Sequence, residues 1–209
     1  MRFSAKNIYL YPCLEDAKRN TPFDAHYIYH PAWAMRIIVK QNPLKHIDIS
    51  STLHFCTMLS AVIPTEFYDY RPAALTLSNL SSGYIDLTNL DFESDSIESI
   101  SCMHTIEHIG LGRYGDPIDP KADITAIEEL KRIVKRGGSL FIVVPIGSPS
   151  IQFNAHRIYS FDIINNMFQE FELSNFSLIC DNQEFIENAS VDLANNQRYG
   201  CGCFHYVKK

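Results

Sequence analysis

The sequence predicts an α/β protein built on an open, mostly parallel sheet with helices on both faces. Three observations carry this. The run SLFIVVPIG (139–147) is apolar and β-branched, the composition of a strand buried on both faces. It follows directly on an amphipathic helix that begins near Asp123 with an acidic turn and ends in KRIVKRGG. A second strand-like run, SIESISCM (96–103), precedes that helix, and strand, helix and strand in that order imply a right-handed parallel crossover.

The remaining elements follow from the same periodicities. DAHYIYHPAWAMRIIVK (24–40) carries aromatic and aliphatic residues at helical spacing around Trp33, and predicts a short amphipathic helix with Pro31 tolerable only near its first turn. KHIDIS reads as a strand ending at Asp48 and Ser50, and TLHFCTMLSAV as the helix after it. Pro64 stops that helix, and EFYDYRP reads as a second strand closing on Asp69, 21 residues beyond Asp48, about one βα unit. Residues 73–83 end in SSG, a loop signal, and Tyr84 to Leu87 form the next strand candidate. Beyond Gly147 the pattern predicts a helix over 161–171, a strand at FSLICD and a terminal strand at CGCFHYV.

Composition limits the function. A length of 209 residues suits one domain, with 1–42 as an N-terminal helical extension or lid. The net charge of −6 argues against a broad grip on nucleic acid. No stretch approaches the roughly 18 apolar residues of a membrane span, and the N-terminus lacks the apolar core of a leader, so a cytoplasmic protein is expected. The six cysteines include no CxxC, and are read as reduced thiols packing as small apolar groups.

The segment IDLTNLDFESDSIESISCMHTIEHIG, followed by AIEELKRIVKRGGSLFIVVPIG, resembles the middle of class I S-adenosylmethionine-dependent methyltransferases. More narrowly, HTIEHIGLGRYGDPIDP, NAHRIYS and RPAAL look like a bacterial family of methyltransferase-like proteins of unknown function. The resemblance implies a Rossmann-like sheet of seven strands, six parallel and the last antiparallel, with S-adenosylmethionine at the carboxyl ends of the first strands. It also implies roles. Asp48 and Ser50 would shape the first loop near the methionine moiety, Asp69 would accept hydrogen bonds from the ribose hydroxyls, Asp86 with Leu87 would meet the adenine, and His104 would line the cofactor pocket. Capping of the following turn is the competing role for each Asp. One departure stands out: superfamily members carry several glycines in the first loop, whereas Asp48-Ile49-Ser50-Ser51-Thr52-Leu53-His54 has none, so this loop must be reshaped.

His104, Glu107 and His108 also match the H-x-x-E-H pattern of an inverted zinc protease, but that chemistry needs both histidines on one long helix. Here a β-like run precedes the motif and Gly110 and Gly112 follow it. The expected roles are instead Glu107 and His108 at the mouth facing the substrate, with His108 or His156 as the base. Arg113, Tyr114 and Arg157 would receive a phosphate or carboxylate. The expected reaction is O-methylation of a sugar, nucleotide sugar or related small anionic metabolite, in the surface-polysaccharide biosynthesis that the resemblance suggests. Two alternatives stand beside it: a fold that has lost its cofactor and acts as a binding or scaffold partner, and a metal-dependent methyltransferase with a Glu/His cluster. No resident metal is expected under the main reading, and a homodimer is allowed.

Overall fold

The computed structural model describes residues 9–209. The elements in chain order are α1 (Ala25–Gln41), β1 (His46–Ile49), α2 (Leu53–Leu59), β2 (Thr65–Asp69), β3 (Leu80–Tyr84), β4 (Ile97–Met103), a single 3-10 turn (Ile106–His108), α3 (Ala122–Ile133), β5 (Val134–Ile146), β6 (Ser150–Gln152), β7 (His156–Ile158), α4 (Phe161–Met167), β8 (Phe171–Ile179), β9 (Phe185–Ile186), α5 (Val191–Asn195) and β10 (Gly200–Lys208). The main sheet has the order β3-β2-β1-β4-β5-β10-β8-β9, and β6 and β7 form a separate hairpin. Pairings from β3 through β5 are parallel, and β10 runs antiparallel to both β5 and β8.

The α/β class with a mostly parallel sheet is as expected, but the sheet holds eight strands rather than seven. The extra strand is β9, two residues that return antiparallel onto β8. Without it, six strands share one direction and β10 alone opposes them.

Side chains alternate across the pleat and separate two cores. Leu140, Ile142 and Val144 of β5 face a cluster containing Ala126, Ile127 and Leu130 of α3 and Phe161 and Ile164 of α4. Phe141 and Val143 face the other side, against Trp33, Ala34 and Ile38 of α1 and Phe55 and Leu59 of α2. Helices therefore cover both faces.

Three local expectations change. Pro31 lies inside a 17-residue helix rather than near its start, so one helical hydrogen bond is lost; burial of Trp33, Ala34 and Ile38, and the Trp33 indole N–H donating to Asn175 at 2.8 Å, hold the helix through it. The loop signal SSG belongs to β3, an edge strand that pairs along its whole length with β2 and needs no apolar alternation. The segment after α3 enters β5 at Val134 without a separate turn. Of the N-terminal extension expected over 1–42, residues 1–8 lie outside the described residues, 9–24 carry no helix or strand, and the helix begins at Ala25.

Two local structures position the cavity described below. The first is a chain of buried polar groups under the loop after β1. Asp48, fully buried, faces Ser101 across the β1–β4 pair, and accepts from the Ser101 hydroxyl at 2.6 Å and from the Ser51 hydroxyl at 2.5 Å. His46 continues the chain, its Nε2 2.9 Å from Ser101 Oγ and its Nδ1 2.8 Å from Ser99 Oγ. Since the Ser101 hydroxyl donates to Asp48, His46 donates through Nε2 and accepts through Nδ1, so the bonds from Ser99 to Asp48 run one way and Ser51 donates from the other side. Burial pushes the Asp48 carboxyl up to about 7 against the Ser101 and Ser51 hydrogen bonds, and lowers His46 to about 3. Above this chain Ser50 adopts φ 56°, the left-handed conformation a glycine would supply, and donates its N–H to the Tyr68 carbonyl at 2.7 Å. Thr52 then caps α2, accepting from the Phe55 N–H at 3.3 Å. The reshaping that a glycine-free loop requires is thus visible in the backbone.

The second is the loop after the 3-10 turn. Asp116 gathers the N–H groups of Gly110 at 2.8 Å, Tyr114 at 3.1 Å and Gly112 at 3.3 Å. Burial opposes its ionisation, but these backbone donors more than offset that and hold its pKa below the usual range. Gly110 has φ 76°, and a Cβ there would run into the Asp119 carbonyl and lie 2.6 Å from Ala122 Cβ.

Gly110→Ala is therefore expected to cost more than about 2 kcal/mol in urea unfolding, while Gly115→Ala, with open space around it, costs only its backbone strain of about 1 kcal/mol. A second expectation concerns pH. A carboxyl raised in the folded state contributes stability that is fully present below its unfolded value near 4 and is lost as pH rises through about 7. Between pH 5 and pH 8, Asp48→Asn should lose less stability than the parent by on the order of 2 to 4 kcal/mol. Equal slopes in paired urea titrations would show that Asp48 is ionised throughout.

Candidate active site

The carboxyl ends of β1, β2 and β4 open into a cavity of about 880 Å³, within the range of small-molecule sites. Open α/β sheets leave this crevice where the strand order reverses, here between β1 and β4. One wall is acidic. Asp69 ends β2 and accepts from the Arg71 N–H at 2.6 Å through Oδ1; Asp86 accepts from the Thr88 N–H and hydroxyl at 2.9 and 2.7 Å, also through Oδ1. Both carboxylates do cap their turns, and each keeps its second oxygen without a protein partner among the described residues. Ser50 and the buried Leu87 line the same wall. Asp48 does not reach the cavity and supports Ser50 and Ser51 from beneath.

The opposite wall carries His104, Glu107, His108, Arg113, Tyr114 and His156. His104 sits just past β4 with φ 55°, and its Nδ1 lies 2.8 Å from Glu107 Oε1. Glu107 is 1% exposed, and its Oε2 is buried with no hydrogen-bond partner. His108 places Nδ1 2.6 Å from the Ala155 carbonyl, so that nitrogen carries the proton and Nε2 keeps its lone pair, 3.8 Å from Glu107 Oε1. Arg113 donates to the same carbonyl at 3.1 Å. His156 stands 6.4 Å from His108 between ring centres; burial, and secondarily the neighbouring His108, lower its pKa. At the mouth the Tyr114 ring carries the guanidinium of Arg71 at 4.3 Å and that of Arg113 at 5.1 Å.

The expectation for Arg157 is corrected. It is 5% exposed and does not line the cavity; NH1 donates to the Ile109 carbonyl at 2.6 Å, and Nε lies 3.4 Å from Asp123. Its charge ties the 3-10 turn to α3 from within the core, outside the cavity lining. Arg132, in the last turn of α3, holds the Leu90 and Phe92 carbonyls and Glu129. The 3-10 turn is too short for the zinc-protease geometry, as the flanking residues predict.

Several cavity residues escape sequence reasoning. Tyr199 comes from the turn before β10, and Tyr27 from α1. Arg71 had its only signal in RPAAL.

Comparisons agree with this architecture. The chain has the fold of several solved structures: the YcgJ protein from Bacillus subtilis (TM-score 0.57, 12% identity, 85% of this chain and 99% of that one), and the N-methyltransferase NodS from Bradyrhizobium japonicum WM9 in complex with S-adenosyl-L-homocysteine (0.59, 12%, 85% and 85%). A third is the 1,6-didemethyltoxoflavin-N1-methyltransferase of Burkholderia thailandensis, with bound 1,6-didemethyltoxoflavin and S-adenosylhomocysteine (0.61, 10%, 87% and 79%). No curated protein sequence matches the chain. A family model matches residues 54–200, more than two thirds of the chain, and by that match the chain belongs to the family described as Caenorhabditis protein of unknown function, DUF268.

Proposed function

We propose that this chain transfers a methyl group from S-adenosylmethionine to a hydroxyl of a sugar, nucleotide sugar or related small anionic metabolite, of the kind used in building surface polysaccharides. The observation that carries the reading is the two-walled cavity: two carboxylates with open oxygens on one side, and a histidine with an oriented lone pair on the other.

The residues present fit the methyl donor. Asp69 can accept from a ribose diol, Asp86 and Leu87 offer a polar and an apolar edge for adenine, and Ser50 presents backbone in the conformation that glycine supplies elsewhere. When bound, S-adenosylmethionine supplies a methyl group on a sulfonium centre, open to in-line displacement. The protein's tasks are then to align the acceptor and to take its proton.

His108 is the better-placed candidate for the base. Its Nδ1–H is fixed on Ala155, its Nε2 is free, and the Glu107 carboxylate nearby stabilises the imidazolium formed when the acceptor's proton arrives. His156 has its Nε2 buried without a partner and is the weaker candidate. Arg113 and Arg71, exposed and held over Tyr114, supply the positive charge for an anionic acceptor.

Calorimetric titration with S-adenosylhomocysteine should show binding that Asp69→Ala weakens about tenfold or more, the loss of roughly one charge-assisted hydrogen bond. Absence of binding at millimolar ligand would leave a scaffold with a methyltransferase fold. His108→Ala should lower turnover about 100-fold to 10,000-fold while leaving S-adenosylhomocysteine affinity within about twofold. Unchanged turnover would remove His108 from the mechanism.

A further inference from the structure

A second group of chemistry-bearing side chains lies on the α1 side of the cavity wall. His26 in the first turn of α1, His104 after β4 and Cys201 in β10 bring two imidazole nitrogens and a sulfur within 4.8 Å of one another. His104 Nε2 stands 3.3 Å from Cys201 Sγ. Ligands about 2.0 Å (nitrogen) and 2.3 Å (sulfur) from a tetrahedral zinc ion sit about 3.5 Å apart, so this pair already has the spacing of two ligands on one ion.

The surroundings point the same way. His104 turns its other nitrogen to Glu107, the carboxylate-backed arrangement that fixes the tautomer of a metal-bound imidazole and strengthens its donation. Glu107 is buried, keeps one oxygen unpartnered, and pairs with no Lys or Arg among the described residues. A buried carboxylate facing only imidazoles lacks its balancing charge, and a dication on His104 would supply it. His30, fully buried with Nε2 unpartnered, packs 5.1 Å from His104 and adds a further imidazole to the group.

We propose that His26, His104 and Cys201 bind a divalent transition-metal ion of the zinc class, with Glu107 backing His104 and the fourth coordination position left to water. Sulfur and imidazole donors select zinc or cobalt(II) over magnesium and calcium, which take oxygen ligands. On coordination the Cys201 S–H bond breaks, the sulfur–metal bond forms and the proton leaves to solvent, so affinity rises with pH. The site does not rest on the methyl-donor reading: of its three ligands only His104 lines the cavity, and His26 and Cys201 lie outside its lining.

The test is cobalt(II) titration of chelator-stripped protein followed by absorbance, with circular dichroism confirming the fold of each variant. One equivalent should produce a sulfur-to-cobalt charge-transfer band that zinc displaces. His26→Ala, at a half-buried helix start where folding is least at risk, and Cys201→Ser should weaken binding at least tenfold. His54→Ala and Cys13→Ser, both at exposed positions, should leave it unchanged. No band in the parent protein, or a band that persists in folded His26→Ala, overturns the proposal. S-adenosylhomocysteine calorimetry reads the neighbouring pocket separately, so either reading can fail alone.

Discussion

The cavity depends on a carboxylate that never meets water. Asp48 lies at the carboxyl end of the central parallel strand, and an isolated charge there would be costly. Ser99, His46 and Ser101 in series on one side, and Ser51 on the other, satisfy it by hydrogen bonds that converge on its oxygens. That chain locks β1 to β4 and fixes where the backbone leaves the sheet. From this exit follow the left-handed turn at Ser50, the Thr52 cap of α2 and the open space facing Asp69 and Asp86. A loop without glycine takes a glycine-like path because it is held from below.

His104 is the matching pivot on the other wall. Its positive φ turns the chain out of β4, and its two ring nitrogens face Glu107 and Cys201, residues from a 3-10 turn and from a strand nearly a hundred positions away. The acidic wall and the histidine wall are therefore joined through β1 and β4, the two strands either side of the point where the sheet order reverses. Arg157 and Asp123 brace the far end of the same wall from within the core.

Much of this was legible in the sequence where burial imposes a period. The β-branched run of β5, the amphipathic α3 and the apolar β4 declare themselves because both faces, or one stripe, must leave water. Strand β3 did not, since an edge strand is stabilised through its backbone and tolerates Ser-Ser-Gly. The hairpin of β6 and β7 is too short and too exposed to leave a pattern. Among site residues, the aspartates at strand ends and the HTIEH turn were readable from position. Arg157 was misread because two arginines in similar polar contexts differ only in burial, which sequence does not encode. His26 and Cys201 belong to elements at opposite ends of the chain, and no spacing rule links them.

The placement of β10 has a consequence for how the molecule is made. This strand follows every other element in the chain, yet it sits between β5 and β8 with hydrogen bonds on both sides. Until residues 200–208 are in place, the sheet is split into two parts with a gap one strand wide, each part exposing an unpaired strand edge. Cys201 and the neighbouring Tyr199 arrive with this last piece, so the histidine wall is assembled only as the gap closes. The fold is most exposed to edge-to-edge association, and most in need of chaperone cover, until β10 fills that gap.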